Sequence, residues 1–446
     1  MGRIKEFLII EIIMKLADRG FHTNISGWYN QIGKMQSSSP EKIKDWQLDH
    51  MRQLIHTAYD KSPYYHELFD SIGIKPEDIR TFEDLEKIPP LTKDIIRERF
   101  DDIKLSDTSG LRFKYCTTGG STGNPTKYIK DNDSWGFDNA FNIRMWKQVG
   151  YHYGDKFLAL GSSSLFPVNK RSFLHDWYYR LKGKIPFNAM NLSEERLHEC
   201  LEQIKKEKLH YVYGYASSIF LLAKYVLDNH LGDEVSIKAC FPTSEILTDV
   251  YRDTIIRAFG CKVVNVYGAH DGGIVACDSG DGFKVSYNCI VQVLEKGADK
   301  GTALLTDVNS SAYPFIRYQL GDVVELGESY GDIHNGQVLK NVIGRTSDII
   351  EMENGRRLTG PGFTILFSQL NVLGYRVYKS GPMELTVEVV KDAAYSEADD
   401  ELLTGTIKKH AGDDCNVVIK YADSVKQREN GKNMFFLNDR DYGKQS

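Results

Sequence analysis

Thr118-Gly119-Gly120-Ser121-Thr122-Gly123-Asn124-Pro125-Thr126-Lys127 crowds three glycines and four hydroxyl side chains into one short stretch. Glycine tolerates positive φ and adds no bulk, so backbone N–H groups can turn inward there and, with the hydroxyls, suit the oxygens of a polyphosphate. The loop is not the Gly-x4-Gly-Lys-Ser/Thr type, because Asn124-Pro125 follows Gly123. A plain surface loop has the same make-up, so this segment alone leaves both uses open. Further on, Val264-Asn265-Val266-Tyr267-Gly268-Ala269-His270-Asp271 reads as a strand, a Tyr-Gly turn and an acid. A carboxylate just past a strand end can hold Mg2+, which prefers oxygen ligands and shares them with substrate phosphates. Pro314–Asp322 puts a second acid in an expected tight turn. There it can accept from both hydroxyls of a ribose, or simply close an Asx-turn. Gly344-Arg345-Thr346-Ser347-Asp348 follows, and Arg428-Glu429-Asn430-Gly431-Lys432 sets a lysine on a loop or strand edge.

Alternating strands and helices must position these groups. Residues 41–100 read as helices, with Trp46, Leu48, Met51, Leu54 and Ile55 at helical spacing. Pro89-Pro90 breaks the pattern and Thr92 is placed to cap the next helix. Strands are expected at 156–161, 211–214 and 262–267, and helices at 194–207, 217–227 and 250–259. That alternation predicts an α/β domain with parallel pairing. From about residue 283 short strands take over (284–287, 290–294, 303–306, 323–326). The chain is expected to divide into 1–343, a large α/β domain of several subdomains, and 344–446, a small mobile α+β domain.

A chain of 446 residues can bury a large core, and its net charge of −5 argues against a nucleic-acid binder working through a broad basic face. The 7 cysteines include no Cys-x-x-Cys pair, so neither a disulfide framework nor structural zinc is expected, and a reducing, cytoplasmic setting fits. Phe7-Leu8-Ile9-Ile10-Glu11-Ile12-Ile13-Met14 is too short and too charged to span a bilayer. Glu11 and Lys15, four apart, support a helix whose expected use is docking on the protein's own core, with contact to a membrane surface the less favoured use.

In this order the five motifs resemble those of the ATP-dependent adenylate-forming ligases, the acyl-CoA synthetase superfamily. The likeness is closest to the phenylacetate–CoA ligase-like family and its capsule-biosynthesis, CapK-like branch. Thr118–Thr126 looks like that branch's phosphate loop, Pro242-Thr243-Ser244-Glu245-Ile246-Leu247 resembles its adenine-side loop, and Tyr213-Gly214-Tyr215 lies where the family builds its acyl pocket. The resemblance implies ATP and Mg2+, with a small carboxylic acid attacking the α-phosphorus to give an acyl-adenylate and pyrophosphate. It implies nucleotide contacts at Thr118, Gly119, Gly120, Ser121, Thr122, Gly123, Ser244, Glu245, Tyr267, Gly268, Asp322 and Arg345. Catalytic roles fall to Lys432, Asp271 (also the Mg2+ ligand) and Thr122, and a hinge role to Asp348.

Each role has a plainer rival. Arg345 could only pair with an acid, Lys432 could be a solvated charge, and Tyr213 and Tyr215 could be packing residues rather than substrate contacts. His270 reads as a hydrogen-bonded turn residue. The sequence also departs from the family's pattern. Asp271 stands where the family usually has Glu, and no Ser or Thr precedes Gly431-Lys432. CoA is the first acceptor implied, with an amine or hydroxyl in polysaccharide biosynthesis as the alternative. Nucleotidyl transfer without acyl transfer and a non-catalytic nucleotide-binding scaffold complete the set. Asp271 and Lys432 speak against the scaffold.

Overall fold

The structure, a computed structural model, describes residues 6–117, 126–161, 183–189, 192, 194–245, 247, 249–269, 273–344, 349–359, 363, 366–367, 370–391, 393–423 and 436–437. It divides into two compact units, one of Met1–Cys116 with Lys127–Gly344 and one of Thr117–Thr126 with Arg345–Ser446.

In the first unit β1 (Phe113–Thr117) and β2 (Lys127–Asp131) pair as a two-stranded sheet. Twelve further strands form one sheet: β3 (Phe157–Gly161), β4 (Lys184–Asn188), β5 (Tyr211–Tyr215), β6 (Ala239–Thr243), β7 (Lys262–Val263), β8 (Asn265–Ala269), β9 (Gly273–Asp278), β10 (Phe283–Val285), β11 (Cys289–Val293), β12 (Lys300–Asp307), β13 (Tyr318–Leu326) and β14 (Val338–Gly344). Their order is β11-β12-β13-β14-β10-β9-β8-β6-β5-β3-β4, with β7 beside β6. Pairing is parallel from β4 to β8 and antiparallel from β8 to β11. The β-rich stretch after residue 283 therefore extends the parallel sheet rather than opening a new one. The strand expected over 262–267 is broken at Val264, whose N–H still bonds Cys240 O at 3.0 Å.

Helices cover both faces of the parallel strands, as the period-2 alternation of a strand requires. Leu158, Leu160, Val212 and Cys240 meet α5 (Glu194–Glu207), α6 (Ala216–Asp228) and α7 (Asp249–Phe259). Ala159, Tyr211, Phe241 and Val266 point the other way, into a core with α1 (Ile25–Met35) and α4 (Asn132–Lys147), where Trp146 stacks on Phe241 at 4.0 Å. A third core joins α2 (Pro40–Lys61) and α3 (Pro63–Ile72) to the antiparallel strands. Between α3 and β1, the Thr92 hydroxyl accepts from Ile95 N–H at 3.2 Å, the cap that its sequence position predicts.

Ahead of α1, Ile9–Met14 forms a π-helix that continues as an α-helix over Lys15–Phe21. The Glu11–Lys15 pair forms at 2.6 Å. Ile9, Ile10, Met14 and Ala17 join the α1–α4 core, as expected, while the opposite side of the segment stays exposed. Among the described residues no helix is long and apolar enough to cross a membrane.

The second unit pairs β17 (Val372–Gly381) antiparallel with β18 (Glu384–Lys391). Beside them lie β19 (Asn416–Tyr421) and β20 (Phe436–Leu437), both parallel to their neighbours. The hairpin of β15 (Ile349–Glu351) and β16 (Arg357–Thr359) and helix α8 (Glu397–Ala411) complete this small α+β body. Leu385, Val387, Leu403 and Ile407 lie in its core, and a capping box between Ser396 and Asp399 opens α8.

Candidate active site

The carboxyl ends of β5, β6 and β8 lie side by side: Tyr215 is in register with Thr243, and Thr243 with Val266. In an open parallel sheet this edge is where ligands bind. Tyr215, Ser244, Glu245, Tyr267 and Gly268 all fall there. Thr243 Oγ1 donates to Val266 O at 3.1 Å, fixing β6 against β8 just before Ser244. Ser244 is exposed and adopts φ 66, a left-handed conformation that a side chain with a Cβ rarely takes. Such strain concentrates where a ligand is clamped.

Asp322 reaches the same place from far along the sheet. It lies within β13 and not in the expected tight turn. Thr302 is in register with Val323 and Leu304 with Gln319, so Leu320–Asp322 bulge out of the ladder, with Gly321 at φ 87. A bulge re-aims a strand side chain, and Asp322 Oδ2 accepts from the Tyr267 hydroxyl at 3.0 Å. Two of the separately noted motifs, 55 residues apart, thus meet through half-buried side chains. Arg317, which flanks the motif, does not join them. It is buried, and its guanidinium donates to the carbonyl of Glu86 at 3.2 Å and to that of Ile88.

Of the two pocket tyrosines, Tyr213 packs among aromatics, with Trp146 at 5.3 Å and Phe157 at 6.3 Å. Burial pushes its hydroxyl up to about 12. Tyr215, half-buried at the strand end, is the one beside Thr243. Gly214 between them is required by close approach, since a Cβ there would lie 1.9 Å from Leu160 O on β3.

No protein-family model matches the chain. It is 24% identical to Protein CapK of Staphylococcus aureus over 386 residues, covering 84% of this chain and 85% of that one. It is 23% identical to the phenylacetate-coenzyme A ligase of Escherichia coli (strain K12), covering 72% and 75% of the two chains. Among solved structures, a 2-hydroxyisobutyryl-CoA ligase in complex with 2-HIB-AMP and CoA superposes with a TM-score of 0.61 at 17% identity, covering 92% and 93%. Relatives and structural neighbours of this kind support the adenylate-forming ligase family that the motifs resemble. The chain's relatives are those of the phenylacetate–CoA ligase-like family and its CapK-like branch.

Several of this ligase's expected site residues lie outside the described residues: Thr118, Gly119, Gly120, Ser121, Thr122, Gly123, Asp271, Arg345, Asp348 and Lys432, with His270 beside Asp271. The flanks of the expected phosphate loop are described and are strand on both sides, Thr117 ending β1 and Lys127 opening β2. Among the described residues no cluster of three His, Cys, Asp or Glu could hold a metal ion. Asp271, for which the resemblance implies a Mg2+ role, lies outside those residues.

Motif reasoning missed one buried ionic cluster of this ligase. Lys130 Nζ lies 3.1 Å from Asp138 and 3.4 Å from Asp307, and Asp307 also accepts from Ser134 Oγ at 3.1 Å and Asn288 Nδ2 at 3.0 Å. Burial pushes the Asp138 carboxyl up to about 7, and one of its oxygens has no hydrogen-bond partner. A Cβ on Gly273, two residues after Asp271, would lie 2.0 Å from the same carboxylate. Lys130 and Asp138 sit on β2 and α4 and Asp307 ends β12, so no local spacing announced the cluster.

Proposed function

We propose that this enzyme adenylates a small carboxylic acid with ATP and passes the acyl group to CoA. The observation that carries the reading is the Tyr267–Asp322 hydrogen bond at the carboxyl edge of the parallel strands. It joins the motif next to the metal acid with the motif of the ribose acid. A carboxylate oxygen attacks the α-phosphorus, the bond to the β-phosphate oxygen breaks, and pyrophosphate leaves. The thiol sulfur of CoA then attacks the acyl carbonyl, gives up its proton, and AMP departs. Chemistry of this kind depends on positioning and on neutralising phosphoryl charge.

In this reading the backbone of Gly119, Gly120 and Gly123, with Thr118, Ser121 and Thr122, cradles the β,γ-phosphates. Ser244 and Glu245 border the adenine, Tyr267 and Gly268 support the nucleotide, Asp322 grips the ribose, and Arg345 contacts the nucleotide. Tyr213 and Tyr215 border the acyl group, and Lys432 bridges the reacting carboxylate and the nucleotide. A Mg2+ ion on Asp271 would supply further neutralising charge. Residues 344–446 act as a lid turning about Asp348. The seven free thiols suit a reducing compartment, and the cytoplasm is the location we propose.

An amine or hydroxyl acceptor in polysaccharide assembly, the alternative that the resemblance to the capsule-biosynthesis branch implies, is the reading to set against CoA. Mass spectrometry of products formed with CoA, amino acids and aminosugars decides between them. An acyl-CoA thioester formed fastest supports the proposal. An amide or ester formed in preference replaces the acceptor, and a stable adenylylated substrate points to nucleotidyl transfer alone.

A further inference from the structure

The segment ahead of α1 is apolar on two opposite sides. Ile9, Ile10, Met14 and Ala17 are buried in the core shared by α1 and α4. Facing away from them, Phe7, Leu8, Ile12 and Leu16 are 63%, 46%, 51% and 63% exposed, and Phe21 ends the segment 43% exposed. These are five of the thirteen large apolar side chains exposed among the described residues, and the other eight are scattered from Ile72 to Tyr421. Single exposed apolar residues are ordinary, whereas a cluster marks an interaction surface.

The charges of the segment are sorted with equal clarity. Two of its acids are turned inward: Glu6 accepts from Tyr29 and, at 2.8 Å, from Lys147, while Asp18 accepts from Thr23 at 2.7 Å and from the Ile25 and Ser26 N–H groups. The third, Glu11, is held by Lys15 at 2.6 Å and by Asn30 at 2.8 Å. Leu8, Ile12 and Leu16 recur every four residues as one stripe, and beside it runs the stripe of half-buried Glu11 with exposed Lys15 and Arg19, which carries a net positive charge. Arg3 and Lys5 precede the segment in the sequence. The outward face is therefore apolar with a cationic margin.

We propose that this face docks on an anionic lipid surface. Leu8, Ile12, Leu16 and the two phenylalanines enter the boundary between headgroups and acyl chains, and Lys15 and Arg19 meet lipid phosphates. Charge favours this occupant over a second copy of the chain. A two-fold contact through the same face would set each copy's cationic margin against its twin. The proposed attachment is peripheral, made by one face of a short helical segment lying along the surface.

The test is co-sedimentation of the full chain with vesicles of phosphatidylcholine alone and of phosphatidylcholine with phosphatidylglycerol, at low and high salt. Binding is expected to the anionic vesicles at low salt and to weaken about tenfold on neutral vesicles or at high salt. The double variant Ile12→Ser/Leu16→Ser should lose about tenfold and Arg19→Glu a smaller factor, with melting temperature and pyrophosphate exchange unchanged in both. Three results would overturn the proposal: wild-type protein left in the supernatant with anionic vesicles at low salt, undiminished binding by the double variant, or a wild-type dimer that the double variant breaks.

Discussion

Tyr267 and Asp322 are two candidate site residues that meet in a hydrogen bond of 3.0 Å. Removing the hydroxyl in Tyr267→Phe deletes a hydrogen bond to a carboxylate at a half-buried position, which is worth about 1 kcal/mol. About a fivefold rise in KM for ATP should follow, with kcat little changed. Asp322→Ala should raise it further, because a ribose grip is made in the ground and transition states alike. The two changes should not add, since each breaks the same contact, and a double-mutant cycle on nucleotide affinity measures that shortfall. Additive losses would mean that Tyr267 acts elsewhere. Lys432→Ala, by contrast, should abolish adenylate formation while leaving ATP binding and the melting temperature intact, because the proposed mechanism uses its charge only in the transition state. Near-wild-type pyrophosphate exchange in that variant would remove the lysine from the mechanism.

At the scale of elements, the buried cluster behind Gly273 makes a pH prediction. Asp138, pushed up to about 7 from 3.8 by burial, favours the folded state when protonated, so its contribution is present in acid and lost as pH rises through about 7. His334 is pushed down to about 4 from 6.5 by burial, while its Nε2 lies 3.0 Å from Val285 O. Its contribution is present above about pH 6.5 and lost as pH falls toward 4. The two slopes oppose one another between those values. Asp138→Asn removes the first, so the variant should lose stability more steeply than wild type when acidified from about pH 7 to about pH 5. Urea unfolding at a series of pH values checks this, and parallel profiles would show that Asp138 does not titrate there. The same elements show what a sequence can and cannot carry. The boundaries of α5 follow directly from hydrophobic period, because Leu197, Cys200, Leu201 and Ile204 bury one face of a regular helix. The bulge at Leu320–Asp322 has no such signature: it depends on the register of β12, so Asp322 reads locally as a turn. Lys130, Asp138 and Asp307 are likewise brought together only by the packing of β2, α4 and β12.

For the whole molecule, the order of the motifs was legible because glycine, hydroxyl and acid clusters stand out chemically wherever the chain puts them. The continuity of the twelve-stranded sheet was not. Its antiparallel half has the short-strand texture that a separate β body would have. The division at Gly344 coincides with the Gly-Arg-x-x-Asp motif, and the proposed cycle requires the later residues to move about Asp348. Proline at 348 fixes φ and restricts the residue before it. Asp348→Pro should therefore spare adenylate formation and block acyl transfer in single-turnover measurements. Equal loss in both steps would argue for a rigid second unit.

Exchange of labelled pyrophosphate into ATP, driven by a panel of carboxylic acids with no acceptor present, tests the central claim most directly. The account predicts exchange that depends on the acid and needs neither CoA nor an amine, because the acyl-adenylate forms and reverts before any transfer. Release of ADP and orthophosphate in place of AMP and pyrophosphate, or no exchange with any acid in a broad panel, would contradict it.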